Sequence, residues 1–177
     1  MSPEIIFQMH LGLGYVACLL WFRTYLLPKL KSMERFEAQR FIATIHSFRF
    51  FGLVFILPGV VGPNLPSGFS TFAAYGDFAT GVLAIMALLA VRIRPLFWSL
   101  VAAYNLVGVA DLLIDYYHAT RVGLPALAGQ LGSTYAIPII YVPVLMITHV
   151  VSLYWLLRPQ AKTVQTLTGN SPMVTLR

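Results

Sequence analysis

Cysteine is almost absent from this chain, and charge is scarce. Cys18 stands alone inside an apolar run, which excludes a disulfide framework and a cysteine-based metal site. Charged residues make up 10% of the 177 positions against 58% hydrophobic, and mean hydropathy is +0.77, outside the balance of a soluble domain. The sequence contains no HExxH, no GxSxG and no glycine-rich phosphate loop after a strand, which disfavours zinc proteolysis and nucleotide-driven catalysis on those patterns. No internal repeat or low-complexity tract is visible.

Carboxylates are the scarcest charges: six, against twelve lysines and arginines. The surplus of +6 is not gathered into a patch. Almost all of its residues fall in short segments between apolar runs, the pattern of membrane topology and not of nucleic-acid binding. Apolar runs of about twenty residues are long enough to cross a bilayer as helices. The sequence predicts five, over residues 5–27, 41–61, 69–91, 96–117 and 133–157. The expected fold class is therefore an all-α integral membrane protein, a bundle of five transmembrane helices forming one domain over 1–159. Residues 160–177 read as a flexible polar tail. The first run has Glu4 before it and no small-residue cleavage site before its basic flank, so it reads as a retained helix.

Basic residues set the expected orientation. Arg23, Lys29, Lys31, Arg35 and Arg40 flank the first connection, Arg92 and Arg94 the third, and Arg158, Lys162 and Arg177 follow the last run, while the opposite side holds only Arg121. The positive-inside rule places the N-terminus outside and the C-terminus in the cytoplasm, as in a bacterial plasma (inner) membrane. Residues 29–40 read either as a short amphipathic helix on the membrane surface or as a solvated basic loop. Pro58, Pro138 and Pro143 are expected to bend their spans as ordinary helix kinks, with a part for the last two in shaping a cavity as the lesser reading.

Three of the six carboxylates, Asp77, Asp111 and Asp115, lie inside apolar runs. An ionised Asp at mid-bilayer costs ~2.5–3.5 kcal/mol on insertion scales, so such residues are paired, protonated or lining a polar cavity. Tyr104, Asp111, Asp115 and His118 recur at helical spacing and form one stripe, with Asn105 beside it and Gly108 within it. Counting depth from the outer side brings His10, Tyr75 and Asp77 to the same leaflet. The expected site is an outer-leaflet pocket with Asp77, Asp111 and His10 as acid/base groups. Tyr75, Tyr104, Asn105, Asp115 and His118 would be its binding groups. Each residue also has a bland reading as an interhelical hydrogen-bonding or interfacial group.

A second polar group is expected in the inner leaflet: His46 with Arg49, and His149 with Ser152, with Arg49 snorkelling to the cytoplasmic interface. Three function classes follow. The first is binding or acid/base transformation of a small lipophilic molecule. The second is a haem b electron carrier ligated by His46 and His149, since the four histidines fall on four different runs, two toward each face. A non-haem metal on His10, Asp77 and Asp111 is a lesser variant. The third is a small transporter or an assembly subunit, as a homo-oligomer or with another membrane partner. The bilayer is the one partner common to all three, and no nucleic acid is expected.

Overall fold

The computed structural model describes residues 1–158, and among these every regular element is helical. The first helix, α1 (Pro3–Trp21), begins where Ser2 caps it: its Oγ accepts from the Ile5 N–H at 3.4 Å, Pro3 opens the first turn, and Glu4 lies at the positive end of the dipole. It passes through a π-helical turn (Phe22–Leu26) into α2 (Leu27–Ser32). A bend at Met33 separates α2 from α3 (Arg35–Ser47), which tightens into a 3-10 segment over Phe48–Ile56. Then come α4 (Ser67–Leu89) and α5 (Arg94–Arg121), with Pro95 in the first turn of α5. A 3-10 stretch (Ala128–Tyr135) and a π-helical turn (Ile137–Tyr141) lead into α6 (Val142–Leu157).

Four of these rods are long and apolar enough to cross a membrane: Pro3–Ser32, Ser67–Arg92, Arg94–Arg121 and Ile137–Leu157. The chain is a multi-pass membrane protein. The predicted run over 41–61 differs from the other four. Its α-helix starts earlier, at Arg35, and gives way to the 3-10 segment at Phe48. Residues 29–40 form neither a separate surface helix nor a loop, because Leu30 and Phe36 are buried and the stretch ends one rod and begins the next. The predicted tail over 160–177 lies outside the described residues.

Both ends of the bundle are tied across rods. At the basic end, the Arg35 guanidinium donates to the Arg158 carbonyl at 2.7 Å and Arg94 lies over the Phe36 ring at 3.4 Å. At the opposite end, Gly62 N–H donates to the Gln130 carbonyl at 2.7 Å and Asn64 N–H to its Oε1 at 3.1 Å. There His10 also meets the Tyr135 hydroxyl at 3.0 Å. Successive rods therefore alternate in direction.

Helix α4 is central, packing on α5, on α3 and on the Phe48–Ile56 segment. Its inward face is made of small residues, Ala73, Ala74, Gly81, Ala84 and Ala87, all buried. Small residues let backbones approach and maximise dispersion contact where lipid supplies no hydrophobic drive. Large residues fill the spaces left: Phe36 and Phe97 toward the basic end, Phe55, Phe69 and Leu131 toward the other. Pro143, without an N–H, cannot donate into the preceding turn. The Ile139 backbone there lies directly against Gly14 of α1, where a Cβ would strike its carbonyl oxygen.

Candidate functional site

Arg49 is the centre of the polar interior, and it is fully buried. Its Nε donates to Asp77 Oδ1 at 2.6 Å, and its Nη2 donates to Asp111 Oδ2. Nη1 donates to the Gly108 carbonyl at 3.3 Å and contacts His149 Nε2 at 3.2 Å. The 3-10 segment supplies Arg49, α4 supplies Asp77, α5 supplies Asp111 and Gly108, and α6 supplies His149. One guanidinium thus ties four rods together.

Glycines make the room this requires. A Cβ on Gly76 would collide with Asp111 Oδ1, and one on Gly108 would come within 2.6 Å of Arg49 Nη1 and of the His149 ring. The backbone itself forms part of the wall around the ion pairs.

Proton positions along the network follow from its donors. A guanidinium has no acceptor, so His149 Nε2 accepts from Arg49 and the ring proton is assigned to Nδ1. That Nδ1–H donates to Asn105 Oδ1 at 2.9 Å. The Asn105 amide then donates to the Ser152 hydroxyl at 2.8 Å and to the Val101 carbonyl at 2.8 Å. Ser152 Oγ in turn donates to Gln39 Oε1 at 2.6 Å, and Gln39 Nε2 returns a bond to the Ser152 carbonyl at 3.0 Å. All of these side chains are buried. From Arg49 a directional chain runs toward the basic end, and His149, Asn105, Ser152 and Gln39 along it are each satisfied, as low-dielectric burial demands.

Next to the ion pairs, on the side facing away from the basic end, lies a cavity of about 130 Å³. Its wall is apolar, with Phe7, Leu11, Phe55, Phe69, Leu112 and Ile137 among its members, and with Asp77 and Asp115 as its two carboxyls. Asp115 stands one helical turn beyond Asp111, and Oδ1 of each is buried without a hydrogen-bond partner. The Tyr116 hydroxyl, on a residue that also lines the cavity, is held by Tyr15 at 2.6 Å. Pro138, in the π-helical turn, and Val142, the first residue of α6, complete one side of the cavity.

This arrangement joins two groups that the sequence separates. Asp77, Asp111 and Asn105, expected in an outer pocket, are linked through Arg49 to His149, expected in the inner leaflet. Arg49 does not snorkel. Depth counted from Arg40 places it near the interface, but the rod begins at Arg35, about 20 Å away along thirteen α-helical residues at 1.5 Å each. The sequence signal for this was charge: Arg49 is a lone cation deep in an apolar run, facing two such carboxylates on other runs.

Other expected members fall elsewhere. His10 is exposed and bonded to Tyr135, Tyr75 is 57% exposed, and His118 stacks on Phe72 with centroids 5.2 Å apart. Tyr104 is buried beside His46 with ring centroids 5.3 Å apart, away from the cavity wall.

The haem alternative does not fit His46 and His149. Their rings lie 3.9 Å apart centroid to centroid, whereas bis-imidazole ligation puts a porphyrin plane and its iron between two rings whose lone pairs face the metal. His149 spends its lone pair on Arg49. His46 Nε2 meets Thr148 Oγ1 at 3.1 Å, and that hydroxyl already donates to a backbone carbonyl, so Nε2 is assigned the proton. The lesser variant on His10, Asp77 and Asp111 fails as well. Among the described residues, no group of three or more His, Cys, Asp or Glu is placed to hold a metal ion.

A family model for a domain of unknown function, DUF8737, matches residues 6–157, all of the helical bundle but the first turn of α1. The chain belongs to the DUF8737 family. Neither the curated proteins nor the solved structures contain a match. The family match spans every residue of the Arg49 network and of the cavity wall.

Proposed function

We propose that this protein binds a small lipophilic molecule in the cavity beside Arg49 and uses the carboxyls there to hold or move a proton on it. The observation that carries the reading is a cavity of about 130 Å³ whose wall is apolar except for hydroxyls and the carboxyls of Asp77 and Asp115. Ligand sites characteristically combine an apolar lining with a few convergent polar groups. Asp115 is the general acid/base candidate, because its Oδ1 has no partner. Arg49 holds Asp77 and Asp111 in place, and the chain through His149, Asn105 and Ser152 holds Arg49.

In this reading the chain forms one domain and crosses the membrane five times, with its N-terminus outside, in a plasma (inner) membrane of bacterial type. Support for the second crossing comes from length. Thirteen α-helical residues and nine 3-10 residues reach about 20 and about 18 Å, which together exceed the ~30 Å hydrocarbon core. Support for orientation comes from the arginines gathered at one end by the Arg35–Arg158 and Arg94–Phe36 contacts. Cysteines placed at Ser32 and Ser67 in a Cys18→Ala background test it. Only Ser67→Cys is expected to react with an impermeant maleimide on intact cells, and the reverse pattern overturns the orientation.

Photolabelling tests the binding reading. A trifluoromethyl phenyl diazirine, small and apolar, is expected to label Leu112, Tyr116 and Ile137 saturably in membranes, and Ala119→Trp is expected to suppress that labelling. Labelling confined to lipid-facing residues such as Leu106 and Leu113, with no saturable component, would refute it.

A further inference from the structure

The cavity's polar groups differ from those of a general lipophile site in their sign. Asp77 and Asp115 are the charged residues in its wall, and no lysine, arginine or histidine lies among the lining residues. The hydroxyls there are engaged: Tyr116 with Tyr15 at 2.6 Å, and Thr120, whose Oγ1 donates to the Tyr117 carbonyl at 2.7 Å. The nearby cation, Arg49, is spent on Asp77, Asp111, Gly108 and His149. Two carboxyls therefore occupy that guanidinium, and the third, Asp115 in the cavity wall, retains an Oδ1 that is buried and accepts nothing.

A polar group entering this space meets acceptors. An anionic or acceptor-only head, such as a carboxylate or phosphate, would meet like charge in a low-dielectric setting, where repulsion is severe. A head that donates several hydrogen bonds and carries positive charge would satisfy the idle Asp115 oxygen and form an ion pair with its carboxyl. The cavity's volume suits a single ring or a short branched chain behind that head.

We propose that the ligand of this cavity is a small organic ammonium, an apolar body of about one ring carrying a primary or secondary amine that pairs with Asp115 and Asp77. The inference rests on the binding reading above and names its substrate class. It assigns a role that pairing with Arg49 leaves open: Asp115, half-buried and one turn above the ion pairs, is the residue that meets the head group.

Four probes sharing one ring and differing in the head test it: benzylamine, benzyl alcohol, toluene and benzoate. Each is added at neutral pH to the full-length protein in detergent, and affinity is read from the shift of the thermal unfolding midpoint with ligand concentration. Benzylamine is expected to bind about tenfold or more tightly than benzyl alcohol, the scale of one charged hydrogen bond, and benzoate not to bind. Asp115→Asn is expected to remove the benzylamine advantage, so that benzylamine and benzyl alcohol then bind with similar affinity. If toluene and benzyl alcohol bind but benzylamine binds no better, the cavity takes apolar rings and the head-group assignment is wrong. If none of the four shifts the midpoint, the binding reading itself fails.

Discussion

Removing the guanidinium at position 49 tests the network most severely. Arg49→Met keeps an unbranched apolar stem of similar reach and deletes the cation. Asp77 and Asp111, 5% and 4% exposed, then face each other in the interior without a counter-charge. A unit charge pair at about 4 Å interacts by about 4 kcal/mol at an effective dielectric of 20, and removing one partner of a buried pair typically costs about 3–5 kcal/mol. Loss of the bonds to Gly108 and His149 adds to this. We expect Arg49→Met to destabilise by about 3–5 kcal/mol, a large part of a stability of roughly 5–15 kcal/mol. Adding Asp77→Asn and Asp111→Asn is expected to restore most of the loss, because the stranded charges are then gone and neutral replacement of a buried ion cluster is often close to isoenergetic. The assay is reversible unfolding in mixed micelles for wild type, Arg49→Met, the Asn double variant and the triple variant, read as a cycle. A loss below about 1 kcal/mol for Arg49→Met, or strictly additive effects around the cycle, would refute the buried pairing.

Three further outcomes follow from the same packing. Gly76→Ala and Gly108→Ala place a methyl on Asp111 and on the Arg49–His149 contact, so each is expected to cost about 1–3 kcal/mol, while Gly12→Ala, which meets nothing within 4 Å, stays within about 0.5 kcal/mol in the same unfolding assay. Asn105→Leu strands the His149 Nδ1–H and removes the bond that Ser152 Oγ accepts, while Ser152 still donates to Gln39, and is expected to cost about 1–3 kcal/mol, well short of Arg49→Met, because interhelical bonds between neutral groups in membranes are individually weak. Protein purified from haem-replete cells is expected to show no Soret band. A band abolished by His149→Ala would overturn the assignment of its lone pair to Arg49.

Much of this architecture is written in composition and periodicity. Long apolar runs bounded by Arg and Pro-Gly turns announce helical rods, and four of the five predicted runs match continuous rods to within a few residues. The run over 41–61 is the instructive case. Its Phe-rich sequence reads as one span, yet after Ser47 it winds as a 3-10 segment against Gly81, whose Cβ would sit 2.6 Å from the Phe50 nitrogen. That close approach is a tertiary effect and leaves no mark in local propensity.

The site was half legible. Buried Asp77 and Asp111 stand out on cost alone, and Tyr104 with Asp111 and Asp115 on helical phase. Depth was the weak coordinate. A ruler of 1.5 Å per residue started at the wrong end residue separated Arg49 from the carboxylates it binds. Side-chain direction was the other gap. Tyr75, two residues before Asp77, is carried by the helical turn to the outer face, whereas Asp77 points into the bundle. Charge balance alone, two membrane-embedded carboxylates and one cation deep in an apolar run, points to Arg49 without any estimate of depth.

What the protein carries from its own membrane tests ligand binding in the cavity most directly. Wild type and Ala119→Trp, purified in parallel in mild detergent, would be extracted with organic solvent and the extracts compared by mass spectrometry. A small amphiphile is expected, enriched at near-stoichiometric amount with wild type and lost from the cavity-filled variant at equal protein recovery. Identical extracts, holding only bulk lipid in both, would contradict it.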